Sequence, residues 1–252
     1  MFSLENNVYL KIKKIFNKHN DILTEDFEKR IKKSIRVLHF EYLWGSCKEA
    51  EKVVSKNNLS SKDINLFDLI MDIYNKRRRQ HQAKFLLLHC FENALRSTLA
   101  VKIANKYNGA KDNWFLDNSN MSEQMKSRIR RKCTRINIQA ASTFEIFDCF
   151  YLIDLQEILS EYWFLFEDIF LGSKQYKGQV LPAYNILHLD VKVGQIRIAR
   201  NLICHNKPTK IRFQKDLEIL LLRMGYNLRD AINIGDITQS IPLNYNYDDL
   251  LI

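Results

Sequence analysis

Apolar residues recur at helical spacing along most of the chain, with few residues that would interrupt a helix. From about Leu4 to Asn17 they alternate with lysines, which predicts a first helix. A capping sequence at Thr24 predicts a second helix that runs toward Tyr42 or Trp44, where Gly45 either breaks it or only kinks it.

The most continuous helical pattern follows a polar connection at residues 57–63 and extends from about Asp63 to Ile103. It predicts one long helix or two helices stacked end to end, central to a bundle. Glu92 and Arg96 lie four residues apart within it, so they can meet on one helix face. An ordinary helical ion pair explains this spacing by itself. Because leucine-rich stretches flank the pair, we also expect both charges to be half-buried, where they must be paired.

An aromatic-rich segment dominates the second half of the chain. Ser142, with Glu145 three residues later, predicts the cap of a helix from Phe144 to about Leu171. The aromatic density favours a core and a dimer interface over a stacking platform for bases. Residues 172–182 are predicted to form a loop.

Two more helices are predicted after that loop, from Asn185 to Asn206 and from Lys215 to Ile232. The chain is therefore predicted to be all-α, a helical bundle with additional N-terminal helices. Its seven glycines and three prolines agree with long helices and short connections. Residues 1–62 are predicted to be an N-terminal helical extension, 63–234 the main helical domain and 235–252 a tail with little periodicity.

At 252 residues and 46% hydrophobic content, the chain is long enough to bury a substantial core. No apolar run approaches the roughly 20 residues of a membrane-spanning helix, and the N-terminus lacks the layout of a signal peptide. We therefore expect a cytoplasmic protein without membrane contact. The five cysteines are odd in number and never form a Cys-x-x-Cys pair, which predicts reduced, mostly core, thiols and no zinc site.

A formal net charge of +10 favours polyanionic partners such as nucleic acid. The segment from Met121 to Asn137 carries six of the cations, and this run fits either an RNA-phosphate track or a solvated face. A second basic run lies at residues 76–79. The candidate RNA-binding residues are Arg77, Arg78, Arg128, Arg130, Arg131 and Lys207.

Arg200, Asn201 and His205 lie together near the end of a predicted helix. At roughly 100° per residue, Asn201 and His205 lie within about 40° of each other, far from the apolar stripe of the same helix. His205 is therefore predicted to face away from the core. Pro208 disfavours helical geometry at the residue before it, so the helix is predicted to end at about His205 or Asn206.

These three residue types suit phosphodiester chemistry. A histidine in this position can titrate near neutrality and act in general acid–base catalysis. An arginine offers a planar donor fork to phosphate oxygens and stabilises the charge that grows in the transition state. RNA carries its own nucleophile, the 2′-hydroxyl, so neither a metal nor a cofactor is expected.

The Arg-Asn-x-x-x-His sequence resembles the hallmark of the HEPN superfamily, and more narrowly of its Abi-like (abortive infection) branch. The resemblance covers about residues 79–222. Its supporting features, in chain order, are Glu92 and Arg96 followed by Trp114, the aromatic segment from Phe144, and the stretch from Ile198 to Asn206.

This resemblance implies a HEPN-type bundle at residues 63–234 and a metal-independent endoribonuclease that acts in phage defence or as a toxin. It also implies a homodimer that brings two copies of the motif into one cleft. Cleavage would leave RNA with 2′,3′-cyclic phosphate ends. Arg200 and His205 would carry catalysis, and Asn201 would orient them. Glu92 and Arg96 would brace the cleft.

The chain departs from the family pattern at two positions. Ser97 stands where family members often have asparagine, and Lys207 stands where some have a tyrosine that a nucleotidyltransferase antitoxin modifies. An antitoxin of that kind is not favoured, and a neutralising RNA or no such partner fits the charge better. The alternatives are a non-catalytic HEPN module that binds RNA or a partner protein, and a purely structural helical scaffold.

Overall fold

The computed structural model describes residues 3–107, 112–117 and 121–226. These residues form ten α-helices and one two-stranded sheet, so the prediction of an all-α protein is confirmed. Among them, no helix combines the length and the apolarity that crossing a membrane requires. The predicted tail at 235–252 lies outside the described residues.

The chain divides into two compact units. The described residues of the first unit are 3–83 and 203–208, and those of the second are 84–107, 112–117, 121–202 and 209–226. The division after Ala83 falls inside a helix, whereas the sequence predicts a domain boundary at the polar connection after Lys62.

The first unit contains α1 (Leu4–Ile15), α2 (Glu25–Val37), α3 (Phe40–Asn57) and the beginning of α4 (Leu66–Lys106). Capping follows the sequence, since the Thr24 hydroxyl accepts a hydrogen bond from the Phe27 N–H at 3.1 Å. The core side chains of this unit include Ile12, Phe16, Phe27, Ile31, Leu43, Cys47, Ala50, Val54 and Ile70.

The helix predicted to run from Thr24 to Tyr42 or Trp44 is two helices, so that prediction is wrong. The break lies at Leu38 and His39, whose backbones are extended with ψ of 152° and 117°. Gly45 lies inside α3, where the helix continues without a break.

Gly45 has a packing role instead of a helix-breaking one. A Cβ atom at this position would lie 2.8 Å from Nη1 of Arg77, so glycine leaves room for that guanidinium. Arg77 Nη2 in turn donates to the Glu49 carboxylate at 2.6 Å.

The second unit contains the rest of α4 and the remaining helices, except for the last two residues of α9. α4 is one continuous helix of 41 residues, which selects the first of the two predicted alternatives. The other helices are α5 (Glu123–Lys132), α6 (Thr143–Asp148), α7 (Leu152–Glu161), α8 (Glu167–Phe170), α9 (Ile186–Cys204) and α10 (Gln214–Met224).

Three of the five cysteines, Cys47, Cys90 and Cys133, are buried, so the prediction of mostly core thiols is confirmed. Burial raises the pKa of the Cys47 thiol to about 12. Cys149 is half-buried and Cys204 is exposed, and all five are free thiols.

The single helix predicted from Phe144 to Leu171 is wrong, because α6, α7 and α8 are separate. The cap at its start is confirmed, since Ser142 and Glu145 form a reciprocal capping box. The first break lies beside a polar contact. Arg96 Nη1 donates to the carbonyl oxygens of Phe147 and Phe150 at 2.5 and 2.7 Å, so a side chain of α4 binds carbonyl groups at the end of α6 and just after it.

The next helix begins immediately after this break. The Tyr151 backbone is extended, and its N–H donates to the Asp154 carboxylate at 2.9 Å, which caps α7. Neither proline nor glycine takes part in the break.

The predicted loop at 172–182 contains a small hairpin of β1 (Gln175–Tyr176) and β2 (Gln179–Val180). The strands are antiparallel, with Gln175 opposite Val180. Lys177 and Gly178 both have positive φ, 48° and 79°, as a two-residue hairpin turn of this kind requires.

Arg223 of α10 anchors this segment. Its side chain is 1% exposed and donates to the carbonyl oxygens of Ile169, Gly172, Leu181 and Pro182 at 2.6–3.0 Å. Burial lowers the pKa of its guanidinium.

α10 ends earlier than predicted. Gly225, with φ of 87°, adopts the left-handed conformation that terminates the helix at Met224. The predicted helical positions Leu228 and Ile232 lie outside the described residues.

Candidate functional site

α9 positions Arg200 and Asn201 as the sequence predicts. Val193, Ile196 and Ala199 of the same helix are buried, so the apolar stripe faces the core of the second unit. The Arg200 side chain is 34% exposed at the edge of this stripe, and Asn201 is exposed.

Glu92 links Arg200 to Arg96. Arg96 Nη2 donates to Glu92 Oε1 at 3.0 Å, so the predicted ion pair along α4 is present. Arg200 Nε donates to Glu92 Oε2, also at 3.0 Å, across a separation of 108 residues. The carboxylate is mostly buried, and each of its oxygens is held by a different guanidinium.

Arg96 is mostly engaged in contacts within the protein. Nη1 donates to the carbonyl oxygens of Phe147 and Phe150, Nη2 donates to Glu92, and Nε lies 3.8 Å from Asp148 Oδ1, within ion-pair distance. Arg96 therefore joins α4 to the junction between α6 and α7 and binds the Glu92 carboxylate.

Arg200 is held on one side and open on the other. Its Nε is bound to Glu92, and its Nη1 lies 3.5 Å from Asn201 Oδ1, at the limit of a hydrogen bond. Nη2 has no acceptor among the described residues. The Nη1–Nη2 edge can therefore receive two oxygens of a phosphate group, while Glu92 limits the rotation of the side chain.

His205 is the first residue after α9 and belongs to the first unit. It is exposed. The helix ends at Cys204, slightly before the predicted end, because Asn206 adopts a left-handed conformation with φ of 55° and its N–H donates to the Ile203 carbonyl oxygen at 2.9 Å. The turn thus precedes Pro208.

Arg128, which the sequence predicts to bind RNA, is buried and paired in the structure. Its side chain is 6% exposed, and it donates to Glu157 at 3.2 Å and to Glu161 at 3.1 Å. A guanidinium that is buried and paired in this way cannot reach a phosphate without breaking both ion pairs.

The other predicted RNA-binding residues differ in their exposure and in their acidic partners. Arg131 lies 3.9 Å from Asp154, and Arg77 is bound to Glu49. Arg130 has a distant partner, Glu123 at 4.0 Å, and is largely exposed. Arg78 and Lys207 are exposed.

The link between Glu92 and Arg200 is the part of the site that sequence reasoning missed. Residues this far apart in the chain leave no periodic or capping signal. The described residues contain no group of three or more His, Cys, Asp or Glu side chains placed to hold a metal ion.

Comparisons of the chain with protein-family models, with curated proteins and with solved structures found no match.

Proposed function

We propose that this chain is a metal-independent endoribonuclease of the HEPN type, acting in phage defence by abortive infection or as a toxin. The Arg200-Asn201-x-x-x-His205 motif suggests the chemistry. The observation that carries the proposal is the bond between Arg200 Nε and Glu92, which fixes the arginine and leaves its Nη edge open to a phosphate.

In the proposed reaction, the 2′-oxygen of the RNA attacks the adjacent phosphorus and the bond from phosphorus to the 5′-oxygen breaks. His205 removes the 2′-hydroxyl proton as general base. Arg200 stabilises the negative charge on the equatorial oxygens. A proton from the imidazolium of a second copy goes to the 5′-oxygen, so the products are a 2′,3′-cyclic phosphate and a 5′-hydroxyl.

The exposed face of α9 supports a homodimer. Leu187, Val191 and Ile198 are 77%, 55% and 49% exposed. Their spacing of four and seven residues places them within roughly 40° of one another on the helix. A stripe of this kind is typical of a seam between paired helices. Asn201 continues the same side of the helix, so pairing along the stripe brings two copies of the motif toward one cleft.

Cleavage of labelled RNA in EDTA tests the proposal. Arg200→Ala and His205→Ala should each lower the cleavage rate by about 10²–10⁴-fold, as expected for loss of an anion stabiliser or a general base. Arg197→Ala and His188→Ala are matched controls on the same helix and should retain cleavage. Undiminished cleavage by either motif variant would refute the assignment.

A second candidate function is a non-catalytic HEPN module that binds RNA or a partner protein. One feature of His205 favours this alternative: no described residue forms a hydrogen bond with its side chain. A catalytic base is usually oriented by such a bond to a third group. RNA binding that needs Arg200, without cleavage under any condition, would select this alternative.

A further inference from the structure

The chain around the motif is depleted of acidic residues. No Asp or Glu lies between Asp190 and Asp216, although the whole chain has 29 of them. The same stretch carries Lys and Arg at seven positions, namely Lys192, Arg197, Arg200, Lys207, Lys210, Arg212 and Lys215. Local neutralisation of these cations therefore depends on residues outside the stretch.

The three cations on α9 all have partners outside the stretch, and two of these partners are acidic. Lys192 lies 2.9 Å from Asp216, and Arg200 is bound to Glu92. Arg197 donates to Gln156 at 3.1 Å.

The cations after the motif are different: Lys207, already a predicted RNA-binding residue, is exposed, and so are the three that follow it. Lys210, Arg212 and Lys215 are exposed, and none has an ion pair or a hydrogen-bonded side chain within the described ranges. We define these three residues as the post-motif cations.

The backbone presents two of the post-motif cations on one side. Residues 207–213 are neither helix nor strand, and exposure alternates along them: Lys210 and Arg212 are exposed, Ile211 is half-buried and Phe213 is buried. The Cα atoms of residues two apart lie at most about 7 Å apart, so the two exposed cations are neighbours. The apolar side chains thus anchor the segment and the cations face the solvent.

The basic run on α5 offers a contrast, because carboxylates already neutralise most of it. Lys126 lies 2.7 Å from Glu123, and Lys132 lies 2.9 Å from Asp154. Arg128 is buried between two glutamates. A phosphate that binds here must compete with these acids.

We propose that the post-motif cations, and not the α5 run, bind the phosphate backbone of single-stranded RNA and lead it to the motif. The choice of RNA as ligand rests on the proposed function. A membrane surface fits less well, because a segment that binds lipid exposes apolar side chains for insertion, whereas Phe213 is buried here.

RNA affinity measured against salt concentration tests this inference. His205→Ala serves as the parent, so that the RNA stays intact, and the probe is a short fluorescein-labelled single-stranded RNA followed by anisotropy. The variant Lys210→Gln/Arg212→Gln/Lys215→Gln should lose at least about tenfold in affinity. Each lost phosphate contact removes about 0.7 from the slope of log K against log salt, so the slope should fall by about 2.

The control variant is Lys126→Gln/Arg130→Gln/Arg131→Gln, which removes the same charge from α5. It should change the affinity less than about threefold. An equal or larger loss in the control overturns the inference, as does a parent that fails to bind RNA or that binds phosphatidylserine vesicles instead.

Circular dichroism checks the folding of both variants. If the triple variant is unstable, the single variants Lys210→Gln and Arg212→Gln should each lower the slope by about 0.7, and unchanged slopes overturn the inference. The protein with an intact motif could bind RNA through these cations and yet never cleave it. That result would support this inference and refute the proposed nuclease function, so failure of one is distinguishable from failure of the other.

Discussion

Arg223 and Arg200 belong to the same unit and use the same guanidinium in opposite ways. Arg223 is 1% exposed, and backbone carbonyl oxygens of four residues accept its hydrogen bonds. Arg200 is 34% exposed, donates to a carboxylate at 3.0 Å and keeps an open edge. Full satisfaction by backbone groups indicates an arginine that holds a loop, whereas partial satisfaction by an acid indicates one oriented for a ligand.

The largest effect on stability is expected at Arg223. Arg223→Ala leaves carbonyl oxygens of four residues without their donor and opens a cavity, so the free energy of unfolding should fall by about 3–5 kcal/mol. Urea denaturation measures this loss. Arg200→Ala, the matched variant, should cost less than about 1 kcal/mol because its charge is partly solvated. Similar losses in the two variants would contradict the difference inferred between the two arginines.

A smaller effect is expected at Glu92, and it concerns activity more than stability. Glu92→Gln removes the charge and one of the two acceptor oxygens that bind Arg96 and Arg200, so Arg200 is held less firmly and cleavage should fall by roughly tenfold. The double variant Glu92→Gln/Arg200→Ala should cleave no worse than Arg200→Ala alone. Cleavage rates of the wild type, the two single variants and the double variant form a double-mutant cycle that measures the coupling between Glu92 and Arg200. Additive losses would show that Glu92 acts independently of Arg200.

The smallest effect is expected at Glu145, in the first turn of α6. Hydrogen bonds from the backbone and hydroxyl of Ser142 lower the pKa of the Glu145 carboxyl. Because the folded-state pKa is the lower one, the stabilisation is present above the unfolded-state pKa and is lost as pH falls through the folded-state value. The difference in unfolding free energy between the wild type and Glu145→Gln should therefore shrink toward acid pH. A constant difference in denaturation series from neutral to acid pH would contradict this.

Much of the fold could be predicted from the sequence because helix periodicity and capping depend on residues within a few positions. Thr24 and Ser142 cap helices as predicted, and the pattern from Asp63 to Ile103 corresponds to most of α4. The same local rules place the Arg200 motif at the end of a helix with His205 exposed. HEPN membership and nuclease activity stay predictions.

Contacts between residues far apart in the chain could not be predicted from the sequence. Arg96 donates to two carbonyl oxygens at the break in the aromatic segment, where no proline or glycine indicates an interruption. Glu157 and Glu161 form ion pairs with Arg128, which the charge pattern alone presents as a free cation.

Helix periodicity and capping residues indicated most helical segments and the residues that could do chemistry, but not where two predicted helices break. Which charges are neutralised and which stay open depends on the folded chain. A half-buried charge pairs with whichever residue packing brings within about 3–4 Å, and Glu92 and Arg200 are 108 residues apart, so no local pattern indicates their contact.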